Sequence, residues 1–246
     1  ITGLSDGNYV VTWHDSSGHD GGSGTDVRGQ VFTPSGAPLG EEFMVNTTTY
    51  QTQSESSVAS LSDGGFVVTW QSDYQDGDSH YYNIYGQRFD ADGGSVGDEF
   101  MVNVDRTIRD QHNPSVTGLD NGEFVITWGD QSTNSRSSEL GSGFDNNDWA
   151  VFAQRFSTAG GDTPATAGDL FQVNSYTSGN QYNETYNSGE SLASLPGGGF
   201  VKVWESYNRD GDGGYYNIYG QRFDGNADAV GDEFRANVER HSYNQN

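Results

Sequence analysis

Three loops in this 246-residue chain carry the carboxylates that could do chemistry. They hold Asp15, His19 and Asp20; Asp73, Asp76 and Asp78; and Asn208, Asp210 and Asp212. In Asp76-Gly77-Asp78 and Asp210-Gly211-Asp212-Gly213 the acids alternate with glycine, which permits a sharp turn. Calcium is a hard cation that takes six to eight oxygens from loops of this kind, including backbone carbonyls. The residues therefore point to Ca²⁺ as a cofactor, with Asp15, Asp20, Asp73, Asp76, Asp78, Asp210 and Asp212 as ligands. The distal bidentate Glu of an EF-hand is missing, so affinity is expected on the order of 10⁻⁴–10⁻³ M, as in extracellular modules. Asp and Gly are also ordinary turn formers, and the same strings serve that role.

A second chemistry follows those loops. Tyr81 and Tyr82, with Tyr85, come just after one acidic loop, and Tyr215 and Tyr216, with Tyr219, after another. Aromatic faces beside carboxylates and amides can stack on sugars and hydrogen-bond their hydroxyls. Packing of a Tyr-rich strand against its neighbour is the alternative. A long polar stretch from Ser132 to Trp149 contributes Trp149 to the same set of ligand-binding candidates, because long loops on repeat scaffolds often lie on the binding face. Catalysis is not expected. A catalytic set is normally assembled from unlike residues converging on one place. Here the acids recur with the repeat, and His14, His19, His80, His112 and His241 share no phase. No nucleophile elbow or phosphate loop is present.

Composition narrows the partners. There are 11 Lys+Arg against 35 Asp+Glu, a net charge of -24. Such a chain lacks the cations that neutralise nucleic-acid phosphates or settle on anionic membrane surfaces. No apolar run approaches the roughly 20 residues of a membrane helix. With no Cys, neither a disulfide framework nor a thiolate metal site is possible. Acid-rich, Lys-poor, Cys-free composition suits a secreted protein that holds cations or lives in salt, and the acids also keep a Gly-rich surface soluble. Surface glycans or other copies of the chain are the expected partners.

The elements that position these residues come from internal repeats. Tyr9-Val10-Val11-Thr12-Trp13 returns as Phe66 to Trp70, Phe124 to Trp128 and Phe200 to Trp204. Gly29-Gln30-Val31-Phe32 returns as Gly86 to Phe89, Ala153 to Phe156 and Gly220 to Phe223. Glu42 to Asn46 returns as Glu99 to Asn103, Leu170 to Asn174 and Glu233 to Asn237. A weaker block precedes each Trp, at Ile1 to Leu4, Ser57 to Leu61, Ser115 to Leu119 and Ser191 to Leu195. Trp-to-Gln steps of 17, 17, 26 and 17 residues mark the third repeat as the one with an insertion. Repeats fall at approximately 1–56, 57–113, 114–190 and 191–246. Apolar alternation with β-branched and aromatic residues, and Asp-Gly or Asn-Gly turns between blocks, predict four short strands per repeat. One such unit cannot bury both faces, so the units must stack. A single all-β domain is expected, a four-repeat β-propeller with four-stranded blades, with a tandem β-sandwich or solenoid array as the other architecture.

The strings Leu61 to Ser72, Asn83 to Asp90 and Gly97 to Asn103 resemble repeats of large exported bacterial proteins, many of which also carry RTX-type calcium-binding nonapeptides. The resemblance covers all four repeats. Members of that family are mostly described as calcium-binding, adhesin-like or surface proteins. The resemblance, the charge and the Asp loops together imply a secreted, calcium-stabilised structural or adhesive module that is not an enzyme. A lectin-like, glycan-binding propeller comes second and a polysaccharide-active enzyme third.

Overall fold

The computed structural model describes residues 1–18, 24–77, 81–104, 110–131, 149–177, 179–183, 191–207, 209 and 215–237. They form a β-propeller of four antiparallel blades in chain order. Blade 1 is β1 (Thr2–Gly3), β2 (Tyr9–Asp15), β3 (Asp26–Phe32) and β4 (Pro38–Met44). Blade 2 is β5 (Gln53–Ser60), β6 (Phe66–Asp73), β7 (Tyr82–Phe89) and β8 (Ser95–Met101). Blade 3 is β9 (Gln111–Gly118), β10 (Glu123–Asp130) and β11 (Ala150–Ser157), with β12 (Ala165–Thr166) and β13 (Phe171–Gln172) both on β11. In blade 4, β14 (Gln181–Tyr182) and β15 (Leu192–Leu195) both pair with β16 (Gly199–Tyr207), followed by β17 (Tyr216–Phe223) and β18 (Phe234–Arg235). The last strand of blade 3 and the first strand of blade 4 are thus each split in two, while the longer Trp-to-Gln step of the third repeat falls between β10 and β11.

Alternation along the Trp strands explains the stacking. Phe66, Val68 and Trp70 pack toward blade 1, where Val10, Val27, Val31 and Val45 meet them. Val67 and Ile84, on the other face of blade 2, pack with Phe124, Ile126 and Trp128 of blade 3. Val125 and Val151 of blade 3 meet Phe200 and Trp204 of blade 4. Each central blade is covered on both faces, so its middle strands are buried almost throughout, polar residues included. The first strands gather at the centre, with β5 against β9 and β9 against β15.

The Gly-Gln-Arg-Phe block has a physical reason at every position. A Cβ on Gly86 would stand 2.7 Å from the Phe100 ring, so glycine lets that ring lie on the strand. Gln87 Nε2 donates to the Arg88 carbonyl at 2.9 Å and the Val96 carbonyl at 3.1 Å, bridging the register shift between β7 and β8. Arg88 reaches into blade 3, donating to the Asp162 carbonyl at 2.9 Å while paired with Asp63 at 2.6 Å. Phe89 stacks on Phe66 at 5.2 Å.

The Asn that closes the next block is a cap. Asn46, Asn103, Asn174 and Asn237 accept the backbone N–H of Val27, Ile84, Val151 and Ile218 at 2.7–2.9 Å. Asn103→Ala leaves the buried Ile84 N–H without that acceptor. It is expected to destabilise the fold by about 1–3 kcal/mol, read as a lower denaturation midpoint.

Candidate functional site

Register places Tyr82, Trp149 and Tyr216 at the same position of blades 2, 3 and 4. Each stands at or just before the start of the third strand, three residues ahead of the residue paired with the blade's Trp. His112 and Tyr182 are likewise equivalent, each following the buried Gln (Gln111, Gln181) that opens the first strand. The two sets interleave into one belt of rings. Tyr82 lies 4.9 Å from His112, His112 5.4 Å from Trp149, Trp149 6.1 Å from Tyr182, and Tyr182 5.7 Å from Tyr216. Tyr207 extends it, 5.0 Å beyond Tyr216. Successive rings are tilted by 38–50°, so the belt is corrugated and all its members are partly open to solvent. In blade 1 the equivalent of Tyr82 is Thr25, and in blade 2 the equivalent of His112 is Ser54, so the belt ends there.

A polar floor fixes the belt at His112. Gln71 Oε1 accepts the Asn113 N–H at 3.0 Å, which orients its amide oxygen toward His112 Nδ1, 3.1 Å away. That contact makes Nδ1 the protonated nitrogen of the neutral ring and leaves Nε2 as the acceptor. Asn183 Nδ2 donates to the Asn113 carbonyl. Lys202, the only lysine and fully buried, donates through Nζ to the Asn183 carbonyl at 3.0 Å and to Ser191 Oγ.

Two carboxylates act on the same imidazole. Burial holds His112 below its ordinary range, against the opposing pull of Asp110 and Glu55. Asp110 Oδ1 also accepts the Tyr82 N–H at 3.1 Å. Glu55 is exposed and sits at a bulge of β5 with φ 51°, in the left-handed region. Asn113, its equivalent in β9, has φ 56°. Non-glycine residues in this region cost free energy and cluster where surrounding structure enforces them, often at functional sites. Burial first, then Asp73 and Asp110, raises the Tyr82 phenol, and burial first, then Tyr182, raises Tyr216. Both phenols are protonated donors at neutral pH.

The lowered His112 value has a sign. The unfolded chain, with His near its ordinary value of about 6.5, binds the proton more readily than the folded chain. Stability therefore falls as pH is lowered from about 7 through that range. Thermal melting between pH 5 and 7 is expected to show this slope, and His112→Gln to flatten it.

Of the ring residues expected from sequence, Tyr82, Trp149 and Tyr216 come together, while Tyr81 and Tyr215 stand one residue earlier, outside the chain of ring contacts. His112, Tyr182 and Tyr207 join them without having been anticipated. The acidic loops are less united. Asp15 pairs with Arg28 at 3.2 Å and accepts the Ser17 hydroxyl at 2.6 Å. Asp76 accepts Asn83 Nδ2 at 2.9 Å, and Asp73 faces Tyr82. Asp20, Asp78, Asp210, Asp212 and most of the 132–149 stretch lie outside the described residues. Among the described residues no group of three or more His, Asp or Glu is placed to hold a metal ion.

No family model and no curated protein matches the chain. Solved structures do. The GH93 α-L-arabinofuranosidase of Fusarium graminearum in complex with arabinobiose aligns with a TM-score of 0.54 and 11% identity, over 95% of this chain and 64% of that one. The Fusarium graminearum α-L-arabinofuranosidase with an iminosugar inhibitor gives 0.56 and 12% over the same shares of 95% and 64%. An endo-arabinase from Bacteroides thetaiotaomicron gives 0.47 and 11%, over 93% and 77%. This chain thus spans about two thirds of the arabinofuranosidase's length, and the likeness shows a shared fold.

These structures correct the expectation of a structural or adhesive module without catalysis. The architecture that carried that expectation is shared with an α-L-arabinofuranosidase. The physical error lies in reading every acid as part of the repeat. Glu55 occupies a position held by Asn113 and Asn183 in the next two blades, and Asp110 one held by Thr52 and Asn180.

Proposed function

We propose that the protein is a glycoside-acting propeller that lays an oligosaccharide along the ring belt and hydrolyses it at Glu55 and Asp110. The observation that supports this most is that Glu55 and Asp110, acids at positions where the other blades carry uncharged residues, both act on His112, a member of a continuous aromatic belt. Ring faces give sugar C–H surfaces an apolar seat, and the protonated phenols, Gln71 and Asn113 supply polar neighbours. Glycoside hydrolysis needs two carboxyl groups across the scissile bond. One protonates the leaving oxygen as the C–O bond breaks, and the other activates water or attacks the sugar carbon. Water is consumed and the two sugars separate. Because the chain shares its fold with an arabinofuranosidase, arabinose-containing oligosaccharides are the first substrate class to try.

The test is incubation with a panel of pentose and hexose oligosaccharides, with products separated by chromatography. Release of shorter sugars from at least one arabinose-containing member is expected. A panel returned unchanged, with no binding to any member, would overturn the reading.

A further inference from the structure

The belt meets its ligand with rings and with negative charge, and the charge gathers at Tyr82. Asp73 is the Cα partner of Tyr82 across β6 and β7, so the two side chains leave the same face of blade 2. Asp110 Oδ1 accepts the Tyr82 N–H at 3.1 Å. Glu55, exposed at its bulge, acts with Asp110 on His112, whose ring is 4.9 Å from that of Tyr82. Asp73, like the other two acids, is out of step with the repeat. The third residue past the blade's Trp is Ser16 in blade 1, Gln131 in blade 3 and Tyr207 in blade 4, so closing a blade needs no carboxylate there.

Tyr82 is fixed without being covered. The Thr52 side chain hydrogen-bonds its phenol, Asp110 takes its N–H and His112 packs on its ring, while the residue stays half-buried. The cations are committed elsewhere. Arg28, Arg88, Arg155 and Arg209 pair with Asp15, Asp63, Glu123 and Glu233. Lys202 is fully buried and turned to the Asn183 carbonyl and Ser191. Among the described residues no arginine or lysine pairs with Asp110 or Glu55. A ring flanked by carboxylates attracts a cation twice, through the ring quadrupole and through charge-assisted hydrogen bonds. The same carboxylates reject an anion.

We infer that the sugar seated on Tyr82 carries a protonated amine, and that Asp73 is the residue that selects it. The inference rests on the glycan reading above and names its substrate class, an oligosaccharide that contains an amino sugar. The ammonium lies over the Tyr82 ring with its protons toward Asp73 and Asp110. A neutral hydroxyl at that place gains hydrogen bonds alone, and the carboxylate of a uronic acid meets like charge. Asp73 thus differs from Glu55 and Asp110 in that it binds the sugar and takes no part in breaking the bond.

Calorimetric titration of three β-1,4-linked tetrasaccharides, built from glucose, glucosamine or N-acetylglucosamine, tests this beside an arabinose tetrasaccharide. The Glu55→Gln chain is used so that nothing is hydrolysed, in slightly acid buffer with EDTA so that the amine is protonated and no metal ion bridges it. The glucosamine tetramer is expected to bind about tenfold more tightly, or better, than the other two hexose tetramers. N-Acetylglucosamine is the sharper control, because acetylation removes the charge and keeps the nitrogen. Asp73→Asn in the same background should cut the preference by about threefold or more. Its melting temperature should not change, because blade 3 already carries the uncharged Gln131 at this position. The net charge of -24 draws any cation, but removing a single charge hardly alters that general field, so the loss assigns the preference to Asp73. Equal affinity for the three hexose tetramers, no binding of the glucosamine tetramer, or a preference that Asp73→Asn leaves within that factor overturns the inference. If the arabinose tetrasaccharide still binds in that case, the glycan reading stands; if no member of the set binds, both fall.

Discussion

Glu55→Gln is expected to lower kcat on the cleaved oligosaccharide by about 10²–10⁴-fold, the usual contribution of a positioned acid or base. KM should change little, because Gln keeps the length of the side chain and loses only its charge and proton exchange. Asp110→Asn is expected to fall in the same range. Its Oδ1 can still accept the Tyr82 N–H, so the belt stays in place. The two losses should not multiply, since groups acting as a unit are non-additive. Steady-state kinetics on the two single variants and the double variant checks this. A loss confined to KM would assign both residues to positioning and remove them from the chemistry.

Trp149→Ala is expected to weaken oligosaccharide binding roughly seventyfold. Aromatic side chains bury about 150–250 Å², and a sugar covering one face of the indole removes about 100 Å² from water. At about 25 cal/mol per Å² that is about 2.5 kcal/mol. Trp149 contacts His112 on one side and Tyr182 on the other, so its loss also breaks the belt in the middle. Tyr81→Ala, one residue outside the belt, should change affinity less than twofold. Titration calorimetry on both variants separates a belt from a general aromatic surface.

Much of the fold was legible because each blade repeats the same physical problem. A sheet buried on both faces needs the Trp-strand alternation, a glycine under the neighbouring Phe ring, and a Gln to bridge the bulge. These recur as blocks that can be read by eye. The site was only half legible. Tyr82, Tyr216 and Trp149 could be named from composition around the loops, but their equivalence emerges from strand register. His112 and Tyr182 were missed because the first strands were read from Ser57 and Ser115 onward, where apolar residues begin. The strands start earlier, at Gln53, Gln111 and Gln181, before the bulges at Glu55 and Asn113. The recurring Gln was the available signal. The same early segments hold Glu55 and, one residue ahead, Asp110, so an argument from repeating acids passed over the two that do not repeat.

Arabinose oligosaccharides of increasing length, titrated into the Glu55→Gln chain, test the central claim most directly. The belt predicts affinity that rises with each added sugar while new rings are covered, then levels off once the rings from Tyr82 to Tyr207 are filled. Affinity that is absent at every length, or that is already complete with a single sugar, would contradict an extended glycan site on this face.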